Sequence, residues 1–280
     1  MTPPLSAASE PTLVLEAGRA SRHYWRDLWR YRGLLYFLAW RDIKVRYKQA
    51  VLGAAWALFQ PLVTMVMFTF VFGRLANMPA GGVPYPLLVL AGLLPWQLFA
   101  SSFSGAGASL VSNSHLVAKV YFPRLVVPLS ALAVALVDFL TAMGLYAVVS
   151  TWFGVYPTWR VVFIPVFVVL ALLIAFGTGL WIAALTVRYR DFRFISPFLL
   201  QVGVFATPVG FRADTLPNWR EILALNPLTG VIEGFRWCLL GDTFTLHIDT
   251  LATSVAAALV LVAGGVWYFR STERTFADII

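Results

Sequence analysis

Six stretches of this chain are each long enough and apolar enough to cross a lipid bilayer, and no other feature limits its fold so sharply. A spanning helix needs roughly 20 mostly apolar residues, and residues 52–72, 86–111, 125–153, 161–187, 194–211 and 251–269 meet that need. The second carries Pro95 and a polar end over 101–107, while the fifth is short and holds Pro197, Gln201 and Pro208. Helix breakers survive in lipid only where protein or a watery cavity satisfies the freed backbone groups, so these two segments are expected to face protein or a pore. Of 280 residues, 60% are hydrophobic and 12% charged, too little polar surface to coat a water-soluble body of this size. The expected fold is an all-α polytopic membrane protein with six transmembrane helices.

The formal charge of +8 does not point to nucleic acid, because the 21 Lys and Arg residues lie almost wholly between the apolar segments. Nine of them, Arg19 to Lys48, precede the first segment. With the N-terminus inside, 16 fall on the cytoplasmic side and 5 outside, so the positive-inside rule puts both termini in the cytoplasm. Residues 1–22 lack the basic start and early apolar core of a secretory signal and are expected to form a disordered cytoplasmic tail.

Residues 23–50 are both basic and apolar. Tyr36, Trp40, Ile43 and Tyr47 recur on one helical face and Arg41, Lys44 and Lys48 on another, which predicts an amphipathic interface helix on the inner leaflet. It serves as a lipid anchor, as a docking surface for a cytoplasmic partner, or as both. Residues 51–280 then form the membrane domain. Within it, Ser112, Asn113 and Ser114 offer a helix N-cap and Phe122-Pro123 a stop. This predicts a short cytoplasmic helix with Leu116, Val117, Val120 and Tyr121 as its apolar face, either seated in a partner's groove or buried beneath the protein's own membrane domain. On the outer side, the apolar runs 219–225 and 228–240 are separated by Asn226-Pro227, and neither is long enough to cross. They predict a helical hairpin dipping back before the last span, as an outer gate or as a plain folded cap.

Several chemistries are excluded. Phosphate-binding loops end in Gly-Lys-Ser/Thr, and no Gly-Lys pair occurs in the sequence. The single Cys238 leaves no internal disulfide, and His23, His115 and His247 are too scattered to read as metal ligands. The only acid inside a predicted span is Asp138. Intramembrane carboxylates are costly and by default functional, though pairing with a neighbouring helix is an equally physical reason to keep one. In the turn 188–193, Asp191 sits among Arg188, Arg190 and Arg193, which either set topology or face a bound subunit.

The run Arg188-Tyr189-Arg190-Asp191, followed by Ser196-Pro197-Phe198 and Thr207-Pro208-Val209, resembles the permease subunits of ABC-2 type polysaccharide exporters, the family that moves O-antigen, teichoic acid and capsule chains. Three further stretches agree: 47–56 with Gln60-Pro61, Lys119 to Arg124 with Pro128-Leu129, and Asn226-Pro227 with Gly230 and Phe235-Arg236. The resemblance implies a homodimer in the bacterial inner membrane, bound to two copies of a separate ABC ATPase subunit that carries the ATP and Mg. This chain would then be no enzyme by itself. It further implies a lipid-linked glycan as cargo, moved from the cytoplasmic to the outer face, with the helix at 114–121 as coupling helix. ATPase coupling falls to His115, Leu116, Lys119, Tyr121, Arg188, Arg190 and Asp191.

A hydrophilic polymer needs a protein-lined passage through ~30 Å of hydrocarbon, and aromatic rings stack weakly on sugar C–H faces. Candidate channel residues are Trp56, Phe59 and Phe68, then Trp96, Phe99 and Phe103, then Phe198, Gln201 and Phe205, the last three spaced to share one helix face. Lys44, Arg46 and Lys48 are the candidates for a diphosphate headgroup, and Asn226, Pro227 and Phe235 for the outer gate. Two rivals stand beside this reading: an ABC-2 permease for a small amphiphile, and a polytopic membrane enzyme using Asp138.

Overall fold

The computed structural model describes residues 24–48, 53–215, 219–273 and 276 of the chain. The expected tail at 1–22 and the junction at 49–52 lie outside the described residues. Those described are helical, with no strand among them. In chain order the helices are α1 (Tyr24–Arg30), α2 (Arg32–Lys48), α3 (Gly53–Phe68), α4 (Tyr85–Ser112), α5 (Ser114–Lys119), α6 (Val126–Trp152), α7 (Ile164–Arg188), α8 (Phe192–Gly203), α9 (Arg220–Ala224), α10 (Pro227–Leu240) and α11 (Ile248–Thr272).

Among the described residues, five helical stretches are long and apolar enough to cross a membrane: Leu58–Leu75, Tyr85–Ser112, Val126–Trp152, Trp159–Arg188 and Ile248–Thr272. The first joins α3 to a π-helical extension, Thr69–Leu75. The predicted fifth span departs from expectation. Its helix, α8, has 12 residues and stops at Gly203, and the chain continues through turns to Gly210. At 1.5 Å per residue α8 is about 18 Å long, short of the ~30 Å hydrocarbon layer.

Helix α4 is the axis of the bundle. Leu87, Leu88, Val89, Ala91 and Leu98 on it are fully buried, joined in one core by Phe139 and Tyr146 of α6, Phe167 and Ile174 of α7, and Val231, Ile232 and Phe235 of α10. A helix apolar on all sides is one with neighbours on all sides. Where Gly177 of α7 meets α11 the backbones touch: a Cβ on Gly177 would lie 2.5 Å from the Leu261 carbonyl carbon, and one on Gly265 would collide with the Gly177 carbonyl oxygen. Small residues at such crossings let membrane helices approach until backbones touch.

A second apolar cluster marks the opposite end of the bundle. There Tyr24, Leu38, Val117, Phe122 and Leu125 pack with Leu180 and Val187 of α7, Phe269 of α11, and Phe276. This end carries α1, α2, α5 and the Arg188–Arg193 turn, and is called the basic end below. The predicted interface helix is broken at Tyr31 into α1 and α2. Leu38 and Ala39 of α2 are buried and Tyr36, Phe37 and Trp40 exposed, while Ile43 and Tyr47 are half-buried, so the expected aromatic face divides between surface and bundle. The predicted short helix forms as α5 but ends at Lys119, two residues before Tyr121, because Val120 is extended. The two predicted hairpin runs appear as α9 and α10.

Candidate functional site

One side of the bundle exposes a continuous aromatic and aliphatic surface built by α3 and α8. Phe59, Val63, Val66, Met67 and Phe70 lie at helical spacing along α3 and its extension, and Phe194, Phe198, Val202 and Phe205 along α8 and the turn after it; all are exposed, as is Gln201. Phe68, half-buried, joins the two, its ring 5.5 Å from Phe72 and 6.2 Å from Phe205. The candidate channel aromatics therefore divide. Phe59, Phe198, Gln201 and Phe205 stand at the open surface. Trp96 and Phe103 are buried on α4 with the half-buried Phe99 between them, ring centres 5.7 Å apart at each step. Trp96 lies so close under Gly203 that a Cβ there would meet its ring at 2.9 Å. Trp96 thus packs under the end of α8, and Phe103 is buried against α7 near Gly179. Trp56 is on the first turn of α3, with its side chain outside the described residues.

The turns after α8 explain how α8 ends inside the bundle. Unpaired backbone groups are not tolerated away from water, and Thr207, Pro208, Val209 and Gly210 are all buried. The Arg236 guanidinium, fully buried on α10, donates to the Val209 carbonyl and to the Phe211 carbonyl, each at 2.8 Å. Tyr85 donates to the Gly210 carbonyl at 2.6 Å. Asn226 caps α10, its Oδ1 accepting from the Leu228 amide at 3.0 Å, while its Nδ2 donates to the Ala206 carbonyl and to Thr207 Oγ1 at 3.2 and 3.0 Å. Asn226 thus ties α10 to the irregular segment. Pro227 opens α10. Phe235, expected at a gate, is fully buried 5.9 Å from Phe139 and 6.4 Å from Phe167, as a packing residue.

At the basic end, α5 has one buried residue, Val117, and a half-buried Leu116, while His115, Lys119, Val120 and Tyr121 are exposed. Its face is thus neither wholly covered by the bundle nor wholly free. Arg188, Arg190 and Asp191 are exposed beside it, and Arg188 lies 5.4 Å from the Tyr189 ring centre. Two polar ties hold α2 against this end: Arg41 donates to Asn113 Oδ1 at 2.6 Å, and Asp138 pairs with Arg46 at 2.7 Å and accepts from the Tyr47 hydroxyl at 2.5 Å. A cavity of about 220 Å³ lies between α2, α4 and α6, walled in part by Asp42, Arg46, Ser101, Ser109, Ser112 and Asn113. Of the expected headgroup residues, Arg46 is committed to Asp138, Lys44 sits 5.2 Å from the Trp40 ring centre, and Lys48 is exposed.

Sequence reasoning singled out Asp138, Arg46 and Tyr47 without pairing them, and it gave no role to Tyr85, Glu273 or, beyond a motif, Arg236. For Arg236 a signal was present: one cation inside the apolar run 228–240 is expensive to bury and so marks a specific set of acceptors.

Comparison with known proteins gives a family match to the ABC-2 type transporter over residues 33–240. The O-antigen export system permease protein RfbA of Myxococcus xanthus is 30% identical over 260 residues, covering 91% of this chain and 98% of that protein. A protein of the same name from Klebsiella pneumoniae is 28% identical over 88% of this chain and 95% of its own length. The polysialic acid transport protein KpsM of Escherichia coli is 24% identical over 69% and 76%.

Proposed function

The chain belongs to the ABC-2 type transporter family, and we propose that it is the channel-forming membrane subunit of a polysaccharide exporter, its cargo a glycan still attached to a polyprenyl-diphosphate lipid. The observation that carries this reading is likeness over nearly the whole of both chains to a permease named for O-antigen export. The energy comes from ATP and Mg bound on a separate ABC ATPase chain, since this sequence has no Gly-Lys pair to end a phosphate loop. Two copies of the permease and two of the ATPase form the unit. The chain lies in the inner membrane of a bacterium, with the basic end and both termini in the cytoplasm.

In this reading the exposed α3 and α8 surfaces of two copies face each other across the passage. Phe59, Phe198 and Phe205 offer rings to sugar C–H faces and Gln201 a polar contact, none strong enough to stall a moving chain. The segment from α8 through Phe211 is the sixth crossing, interrupted where Arg236 and Tyr85 take over its carbonyls, and α9–α10 is a hairpin re-entering from the outer face. Tyr36, Phe37 and Trp40 rest α2 on the inner leaflet. Lys44 and Lys48, with Arg46 once released from Asp138, receive the diphosphate. The exposed side of α5, with Arg188, Arg190 and Asp191, meets the ATPase.

Reconstitution of the permease with its ATPase in lipid vesicles tests this reading. Lipid-linked glycan is expected to raise ATP turnover and to appear on the far side of the membrane. A response to small amphiphiles with none to any glycan lipid would reverse the assignment in favour of a small-molecule exporter.

A further inference from the structure

Beneath α5, three segments far apart in sequence close into one knot. Glu273, the first residue past α11, accepts the backbone N–H of Arg124 at 3.0 Å and the Tyr24 hydroxyl at 3.4 Å, while the Arg124 guanidinium donates to the Glu273 carbonyl. Arg270 lies 4.4 Å from the centre of the Tyr24 ring. Phe276 is fully buried, edge-on to Phe269 at 5.3 Å and 5.9 Å below the Arg124 guanidinium. Val117 of α5 packs in the same apolar cluster, with Phe122 and Leu125 from the loop behind it. The loop that follows α5 is therefore fastened to α1 and to the end of α11, as well as to α6, which it leads into.

Helix α5 is too short and too exposed to drive the bundle through its own packing. A push on it reaches α4 and α6 through the chain, and α1 and the end of α11 most directly through this knot. Stability alone does not account for a half-buried, partly desolvated carboxylate here, since an apolar side chain would fill the place without the cost of desolvating a charge.

Resting on the function proposed above, we propose that Glu273 is a positioning residue for energy coupling: it clamps the loop behind α5 to α1 and α11, so that movement imposed by the ATPase on α5 reaches the last span. A two-state element touched by both sites is what physical coupling requires.

The test compares wild type, E273A and E273Q, each co-purified with the ATPase and reconstituted in vesicles with lipid-linked glycan, reading glycan exported per ATP hydrolysed alongside thermal midpoint and ATPase recovery. E273A is expected to retain its ATPase and ATP turnover while glycan exported per ATP falls about tenfold. E273Q keeps an acceptor for the Arg124 amide and is expected to hold that ratio within about twofold of wild type. An unchanged ratio in E273A overturns the proposal. So does a fall in E273A that E273Q fails to rescue and that tracks loss of ATPase recovery and a lower midpoint, which is the mark of a purely structural role. Wild-type protein that moves no glycan overturns the function proposed above and the clamp with it, whereas wild-type export with an unaltered E273A ratio removes the clamp alone.

Discussion

Arg46 and Asp138 meet at 2.7 Å across the gap between α2 and α6, and the Tyr47 hydroxyl closes the other side of the same carboxylate. The only acid inside a predicted span is thus an anchor point for α2. Asp138→Ala leaves a guanidinium and a hydroxyl without their acceptor and is expected to cost about 1–3 kcal/mol. Asp138→Asn keeps the Tyr47 bond and should cost less. Arg46→Ala, removing a half-exposed partner, should cost at most about 1 kcal/mol. Thermal midpoints in one detergent order the three variants, and an Asn variant as damaged as the Ala variant would contradict the assignment.

Arg236 bears on the irregular segment alone. Arg236→Leu removes both donors to Val209 and Phe211 and should destabilise by about 3–5 kcal/mol, enough to abolish recovery of folded protein. Lysine carries the charge without the planar fork and should rescue only in part. Tyr85→Phe removes one neutral bond to Gly210 and should cost about 1 kcal/mol. Yield of monodisperse protein and its melting point separate the three.

The aromatic residues make opposite predictions according to where they sit. Phe198→Ala, Gln201→Ala and Phe205→Ala alter exposed positions and should shift stability by less than about 0.5 kcal/mol each while slowing glycan export. Trp96→Ala empties a packed site behind α8 and should cost about 3–5 kcal/mol whatever it does to export. Midpoint and export rate measured on the same preparations tell lining from packing.

The exposed side of α5 should matter to assembly and not to folding. Tyr121→Ala and Lys119→Ala are expected to lower recovery of the ATPase on the permease while leaving the permease melting point within about 0.5 kcal/mol of wild type. Loss of melting point in step with recovery would place these side chains in the fold.

Glu273 gives a pH dependence. Burial raises its carboxyl above the ordinary 4.5, against the lowering effects of the Arg124 amide and guanidinium and the Tyr24 hydroxyl. The folded protein then holds this proton to higher pH than the unfolded chain. That contribution is fully present below about 4.5 and is lost as pH rises through the folded value. E273Q cannot titrate, so the wild-type excess of stability in mild acid over neutral pH should shrink in this variant. Melting curves from pH 4.5 to 7.5 measure the difference.

Five of the spans were legible because a run of apolar residues long enough to cross has few other homes. The predicted bounds 86–111, 125–153 and 251–269 fall within about three residues of α4, α6 and α11. The fifth span was not legible, because its end is set by Arg236 and Tyr85, side chains from α10 and α4 that no local pattern announces. The same holds for Trp96 and Phe198. Both are aromatic residues at helical spacing, and only the approach of Gly203 to the Trp96 ring makes the first a packing residue and the second a surface one. Asp138 stood out by its cost, yet its partners lie 91 and 92 residues earlier, beyond any sequence window.

The backbone contact of Gly177 with Gly265 limits how this machine can move. Where the two backbones touch there are no rotamers to give, so at that crossing α7 and α11 move as one body. Any displacement of the last span is therefore shared by α7, relative to the more exposed helices at the rim, α3 and α8.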